Sequence, residues 1–266
     1  MIGALRRALC ALSLYLSLAL LGVICLCWTV VALPLWLLLP ARLGAAFGRH
    51  GILVGFRFFV WTLRATGVYR LDLSAINELR GGPPLVLAPN HPSLIDALFV
   101  IAHDPSVVCV MKSVLRNNLF LGAGARLARY IANEPTRHMI ADAVDELGRG
   151  SSVLLFPEGT RTVQAPVNPF KASVAIIARH AQVPVQTLII EQDTAFLGKG
   201  WPLFRPPSLP MVYRMRLGRR FPPPTDARQL TIEMERYFRE ELAASPQNAW
   251  IEARHPQMAP APAASP

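Results

Sequence analysis

Two hydrophobic regimes divide the chain. From Ala8 to Ala41, 34 consecutive residues contain no Asp, Glu, Lys, Arg or His. About 20 apolar helical residues cross a hydrocarbon core, so this run is long enough to enter a bilayer. It is also much longer than the apolar core of a cleaved signal peptide. Pro34 and Pro40 are expected to break its last part, and a second apolar stretch, Ile52 to Leu63, carries only Arg57. Either one helix spans and the second lies in the interface, or the two form a helical hairpin that returns to the same face.

Beyond Gly67 the pattern changes to short apolar runs alternating with amphipathic stretches. Strands are expected at Val68–Leu73, Leu85–Ala88, Val107–Met111, Val153–Phe156, Val185–Ile190 and Met211–Leu217, with helices following Pro92, Thr136, Lys171 and Asp226. This alternation predicts an α/β domain with a central sheet flanked by helices. The organisation read here is an N-terminal membrane-anchoring segment over 1–65, one folded domain over 66–245, and an Ala/Pro-rich tail over 246–266 without periodicity.

Charge sharpens the membrane reading. There are 27 basic and 17 acidic residues, a net charge of +10, and eight arginines but only Asp72 and Glu78 precede Asp96. A basic surface beside a bilayer is drawn to anionic lipid. The basic residues are scattered through apolar segments with no nucleic-acid module, so no nucleic-acid partner is expected. Cys10, Cys25, Cys27 and Cys109 show no metal-ligand spacing, and three lie in the apolar run, so neither disulfides nor a metal is expected.

Candidate chemistry begins at Asn90-His91-Pro92-Ser93-Leu94-Ile95-Asp96, directly after an apolar run. Proline favours the first helical position and keeps the preceding residue out of the helix, so a helix from Pro92 leaves His91 in a strand-to-helix turn. Asp96 can then reach back to one ring nitrogen, leaving the other to take a proton. Ser93 is too close in sequence to serve as nucleophile, Cys109 lies in an apolar run, and no Gly-x-Ser-x-Gly elbow occurs. The hydroxyl to be activated is therefore expected on a substrate. Alone, such a pair is more often a hydrogen-bonded structural histidine. His103 and Asp104 add no recognisable metal spacing, and Gly122-x-Gly124 suits a turn or close helix packing.

A second block, Phe156-Pro157-Glu158-Gly159-Thr160-Arg161, runs from a strand into a tight turn carrying a carboxylate, a hydroxyl and a guanidinium. Arginine there can fork onto phosphate oxygens. The two blocks together resemble the glycerolipid acyltransferase family that includes lysophosphatidate (1-acylglycerol-3-phosphate) O-acyltransferases. The resemblance runs from about Gly67 to Leu217 and includes Met111-Lys112-Ser113-Val114-Leu115 and Val183-Pro184-Val185-Gln186-Thr187. The chain departs from the family pattern at Ala128–Arg137, where Arg129 and Arg137 compete for one family arginine. It departs again at Phe170-Lys171-Ala172-Ser173 and at Gln186.

The resemblance implies a membrane enzyme in which His91 and Asp96 are catalytic and Lys112, Glu158, Gly159, Thr160 and Arg161 bind the acceptor. The donor would be acyl-CoA or acyl-carrier protein, the acceptor a lysophospholipid, and no cofactor is needed. Backbone amides at the start of the following helix would stabilise the oxyanion. The implied location is the inner (cytoplasmic) membrane, with the catalytic domain on the cytoplasmic side. Another acceptor, such as an ornithine lipid or a specialised acyl or polyene lipid, and a non-catalytic lipid-binding role are the alternatives.

Overall fold

Two long helices precede the first strand in the computed structural model, which describes residues 2–202, 204–245 and 248. Helices α1 (Ile2–Leu38) and α2 (Ala41–Ala65) pack on each other as a hairpin. The expected break at Pro34 does not occur. Pro34 lies inside α1, and the chain turns only at Leu39-Pro40. A proline removes one backbone donor, a loss that a long apolar helix can absorb. On α1, Leu16, Val23, Val30 and Leu37 are all exposed at seven-residue spacing. On α2, Phe47, Val54, Phe58 and Trp61 are likewise exposed. Those spacings place each set along one helical stripe facing away from the protein. Ala8–Leu38, of mean hydropathy 2.5, is the one helix among the described residues long and apolar enough to cross a membrane.

The domain that follows contains β1 (Tyr69–Asp72), a 3-10 turn, β2 (Val86–Pro89), α3 (Asp96–Ile101), β3 (Val107–Met111), α4 (Ser113–Arg116), α5 (Gly122–Leu127) and β4 (Ile131–Ala132). It continues through α6 (Thr136–Gly148), β5 (Ser152–Leu154), α7 (Ser173–Ala181), β6 (Val185–Gln192), β7 (Met211–Phe221) and α8 (Ala227–Glu241). The strands form one seven-stranded sheet in the order β1-β7-β6-β2-β5-β3-β4, parallel except where β6 meets β7. β2, β3 and β5 are apolar runs buried among helices, as strands of a parallel sheet covered on both faces should be. β7 instead alternates, with Met211, Tyr213 and Met215 buried and Val212 and Arg214 exposed.

Differences from the sequence-based expectations are local. Helix α3 begins at Asp96 rather than Pro92, because residues 93–96 form a tight turn in which the Ser93 N–H donates to the Asp96 carboxylate. β4, α4 and α5 are too short to leave a periodic pattern. Gly124 of the Gly122-x-Gly124 pair lets α5 approach α1, since a Cβ there would collide with the Trp28 indole. The tail assigned to 246–266 lies outside the described residues, apart from Asn248.

Charged groups join the hairpin to the domain. Arg49 of α2 donates to Glu146 Oε2 (2.7 Å), to Ser151 Oγ (2.9 Å) and to the Ala128 carbonyl (3.0 Å). Arg57 donates to the Ala102 carbonyl at the end of α3 (2.9 Å). The hairpin is therefore docked on the face of the sheet that carries α3.

Candidate active site

Strands β6, β2 and β5 are neighbours, so the loops leaving their carboxyl ends converge at one edge of the sheet. That edge is where open α/β sheets assemble binding sites. Asn90, fully buried at the end of β2, exchanges two hydrogen bonds with the Ile190 backbone of β6 (2.9 and 2.7 Å). This pins the turn that follows.

In that turn the half-buried His91 ring places Nδ1 2.9 Å from Asp96 Oδ2. Asp96 is fully buried and also accepts from the Ser93 amide (2.7 Å) and from the Tyr213 hydroxyl (2.9 Å, at Oδ1). Burial holds the Asp96 carboxyl above the ordinary carboxylate range, and the donors from His91, Ser93 and Tyr213 pull against it. With the carboxylate as acceptor, Nδ1 carries the proton and Nε2 presents a lone pair. The His91 ring stacks on Phe156, the first residue of the second block, with centroids 3.9 Å apart.

Glu158 faces inward. Its Oε1 accepts from the His91 amide (2.8 Å) and the Thr162 hydroxyl (2.9 Å), and its Oε2 from the Asn168 amide (2.9 Å). The Thr162 amide in turn donates to the His91 carbonyl (2.8 Å). Glu158 thus ties the loop after β5 to the loop after β2. Burial is the main influence on its carboxyl, which is pushed up to about 7. Gly159 has φ +67°, a conformation that favours glycine, and a Cβ there would meet the far end of the Lys171 side chain. The stem and ammonium of Lys171 therefore lie directly across the Gly159 turn, beside half-buried Thr160.

The loop after β6 closes the third side. Arg161 Nη1 donates to the carbonyls of Leu197 (2.8 Å) and Gly198 (3.1 Å). The Leu94 amide donates to the Leu197 carbonyl (3.1 Å), and the Ser93 hydroxyl to the Phe196 carbonyl (3.0 Å). The oxyanion role expected for amides at the helix start is therefore not available to Ser93, Leu94 or Asp96, whose N–H groups already have internal acceptors.

The structure brings together His91, Asp96, Glu158, Gly159, Thr160 and Arg161. Lys112 follows β3, the strand beside β5, and is exposed at the start of α4; its side chain makes no hydrogen bond or ion pair among the described residues. Arg129 pairs with Glu146 (3.1 Å), Arg137 is exposed on α6, and buried Gln186 bonds the Gly218 carbonyl (2.8 Å) and Arg220 (2.8 Å). Arg129 and Gln186 thus serve the scaffold. Sequence reasoning missed Tyr213, Asn168, Phe156 as the histidine's stacking partner and the Phe196–Gly198 carbonyls. None of these lies near His91 in the chain.

An apolar cavity of about 440 Å³ lies beside this cluster, between the hairpin and the domain. It is lined by Trp28 of α1, Phe56 of α2 and Leu94, Ile95, Ala97 and Leu98 around the start of α3. Two candidate protein nucleophiles are disqualified. The Ser93 hydroxyl is fully buried and bonded to a carbonyl, and burial raises the Cys109 thiol to about 12. Among the described residues no group of three or more His, Cys, Asp or Glu could hold a metal ion. The arrangement can therefore accept a proton at His91 Nε2 from a hydroxyl brought by a ligand.

Residues 70–191 match the model of the Acyltransferase family. A Caenorhabditis elegans protein provisionally named 1-acyl-sn-glycerol-3-phosphate acyltransferase acl-2 is 28% identical over 177 residues, covering 64% of this chain and 59% of that protein. The 1-acyl-sn-glycerol-3-phosphate acyltransferase of Pseudomonas aeruginosa is 25% identical over 151 residues, covering 54% and 58%. The chain thus spans less than two thirds of the length of these curated relatives. The crystal structure of the 1-acyl-sn-glycerophosphate (LPA) acyltransferase PlsC from Thermotoga maritima superposes with a TM-score of 0.62 at 19% identity, covering 91% of this chain and 98% of that one. That likeness is one of fold.

Proposed function

We propose, with the Acyltransferase-family domain at residues 70–191 as premise, that this chain is a membrane-bound O-acyltransferase converting 1-acylglycerol-3-phosphate to phosphatidate. The donor is a fatty acyl thioester, acyl-CoA or acyl-carrier protein. The observation that carries this reading is the dyad itself. His91 Nδ1 is held by buried Asp96 at 2.9 Å, and among the described residues nothing bonds Nε2 and no protein nucleophile is poised beside it.

In the reaction His91 Nε2 takes the proton of the acceptor hydroxyl as its oxygen bonds to the thioester carbonyl carbon. Asp96 steadies the imidazolium that forms. The tetrahedral intermediate then breaks its C–S bond, and the leaving sulfur takes the proton from His91, so an ester and a thiol are produced and the enzyme is unchanged. General-base assistance of this kind contributes about 10²–10⁴-fold. The cavity beside Leu94 and Ile95 suits an acyl chain, since it is apolar and adjoins the catalytic turn. Thr160, Arg161 and Lys171 line the turn where a phosphate would sit, Arg161 offering the nitrogens not used on Leu197 and Gly198. The apolar stripes of α1 and α2 keep the site at the membrane, where the lysolipid acceptor resides.

The test is acyl transfer in detergent from labelled acyl-CoA and acyl-carrier protein to a panel of lysolipids with and without a phosphate monoester. Product from lysophosphatidate, with a strongly raised KM for it in Arg161→Ala, is expected. Product only from acceptors lacking that phosphate would replace the acceptor. Absence of product from every pair, with the protein shown folded, would leave a lipid-binding role instead.

A further inference from the structure

The Tyr213 hydroxyl lies 117 residues from Asp96 in sequence and 2.9 Å from its Oδ1 in space. The phenol is fully buried, and its ring packs edge-on against Phe99 of α3, centroids 4.6 Å apart. Tyr213 sits in β7, paired to Leu71 of β1 on one side and Gln192 of β6 on the other. Its backbone is therefore held by two strands, and its ring by the helix that begins at Asp96.

The division of labour on the carboxylate is specific. Oδ2 receives both the Ser93 amide and His91 Nδ1, and Oδ1 receives the Tyr213 hydroxyl. A carboxylate rotates about one bond. With donors on Oδ2 alone it can tilt, taking Oδ2 out of the imidazole plane, whereas a donor fixed to Oδ1 removes that freedom. The group is buried and desolvated, so water does not substitute for a missing donor without cost.

We infer that Tyr213 is a positioning residue for the catalytic dyad: its hydroxyl, anchored on β7, locks the Asp96 carboxylate in the orientation that presents His91 Nε2 to the substrate hydroxyl. The kinetic consequence rests on the acyl-transfer reading above; the hydrogen-bond consequence does not.

Tyr213→Phe keeps the ring and its packing on Phe99 and removes only the donor. Two readouts separate positioning from packing. In ¹⁵N-histidine-labelled protein, with the His91 signals assigned from their absence in His91→Gln, the Nδ1-bound proton resonance of His91 should shift or broaden in Tyr213→Phe. A variant carrying 3-fluorotyrosine at 213, a stronger donor of nearly the same shape, should shift it in the opposite direction. In acyl transfer, kcat should fall about tenfold in Tyr213→Phe with KM for both substrates unchanged, the loss of one hydrogen bond to a charged group. A His91 resonance identical in all three proteins would overturn the inference, as would an unchanged kcat in Tyr213→Phe. If the native chain transfers no acyl group, the functional reading fails and the resonance alone decides the inference.

Discussion

Glu158 shows how much one side chain can be misread from sequence. Its place in the Glu158-Gly159-Thr160-Arg161 turn suggests a group facing the acceptor, yet its oxygens accept from His91, Thr162 and Asn168. Glu158→Gln keeps the shape but turns one acceptor into a donor, leaving either the Asn168 amide or the His91–Thr162 pair facing N–H. We expect a loss of about 1–3 kcal/mol, measured by thermal unfolding in detergent. The pH dependence has a definite sign. Because burial raises the folded-state value to about 7 from the ordinary 4.5, the stability linked to the neutral carboxyl is complete below pH 4.5 and is lost as pH rises through about 7. The difference between native and Gln proteins should therefore be largest at the acid end and shrink toward neutrality. An equal difference across that range would contradict this account of Glu158. His91 and Asp96 were legible because they are five residues apart; the contacts of Glu158 and Tyr213 were not, because sequence distance hides what strand order brings together.

At the scale of elements, the strands inside the parallel sheet were legible as apolar runs, and α8 as the amphipathic stretch after Asp226, whose side chain accepts from the Arg228 and Gln229 amides. The turn into α3 was not. The rule that proline starts helices was overridden by the hydrogen bonds that hold the Asp96 carboxylate. Also hidden was the clamp between α2 and α6, where Glu146 meets Arg49, Arg129 and Arg149. Burial pushes the Glu146 carboxyl up, but the arginines outweigh it and hold the group below its ordinary range. Its contribution is therefore present above pH 4.5 and is lost as pH falls below that. Glu146→Gln leaves Arg49 largely buried without its carboxylate, and with Arg129 and Arg149 partly in solvent we expect a loss of about 3 kcal/mol. The check is an unfolding series from pH 7 to well below pH 4.5, in which the native protein should approach the variant at the acid end. A variant as stable as native at pH 7 would show that the Glu146 ion pairs do not hold the hairpin.

For the whole molecule, the hairpin, the cavity and the dyad are neighbours in space. Apolar stripes on α1 and α2 face outward, the cavity opens between the hairpin and α3, and His91 stands at the start of the turn that carries Leu94 and Ile95 along the cavity wall. On the proposed reading, a lipid hydroxyl meets Nε2 while its chains remain in apolar surroundings. The central claim is that His91 removes the proton from that hydroxyl. The measurement that tests it most directly is single-turnover acyl transfer to lysophosphatidate in vesicles, native against His91→Ala, with matched far-ultraviolet circular dichroism. A fall of at least about 10²-fold at constant fold and vesicle binding is expected. Transfer by His91→Ala at the native rate would contradict the account and place the chemistry elsewhere in the molecule.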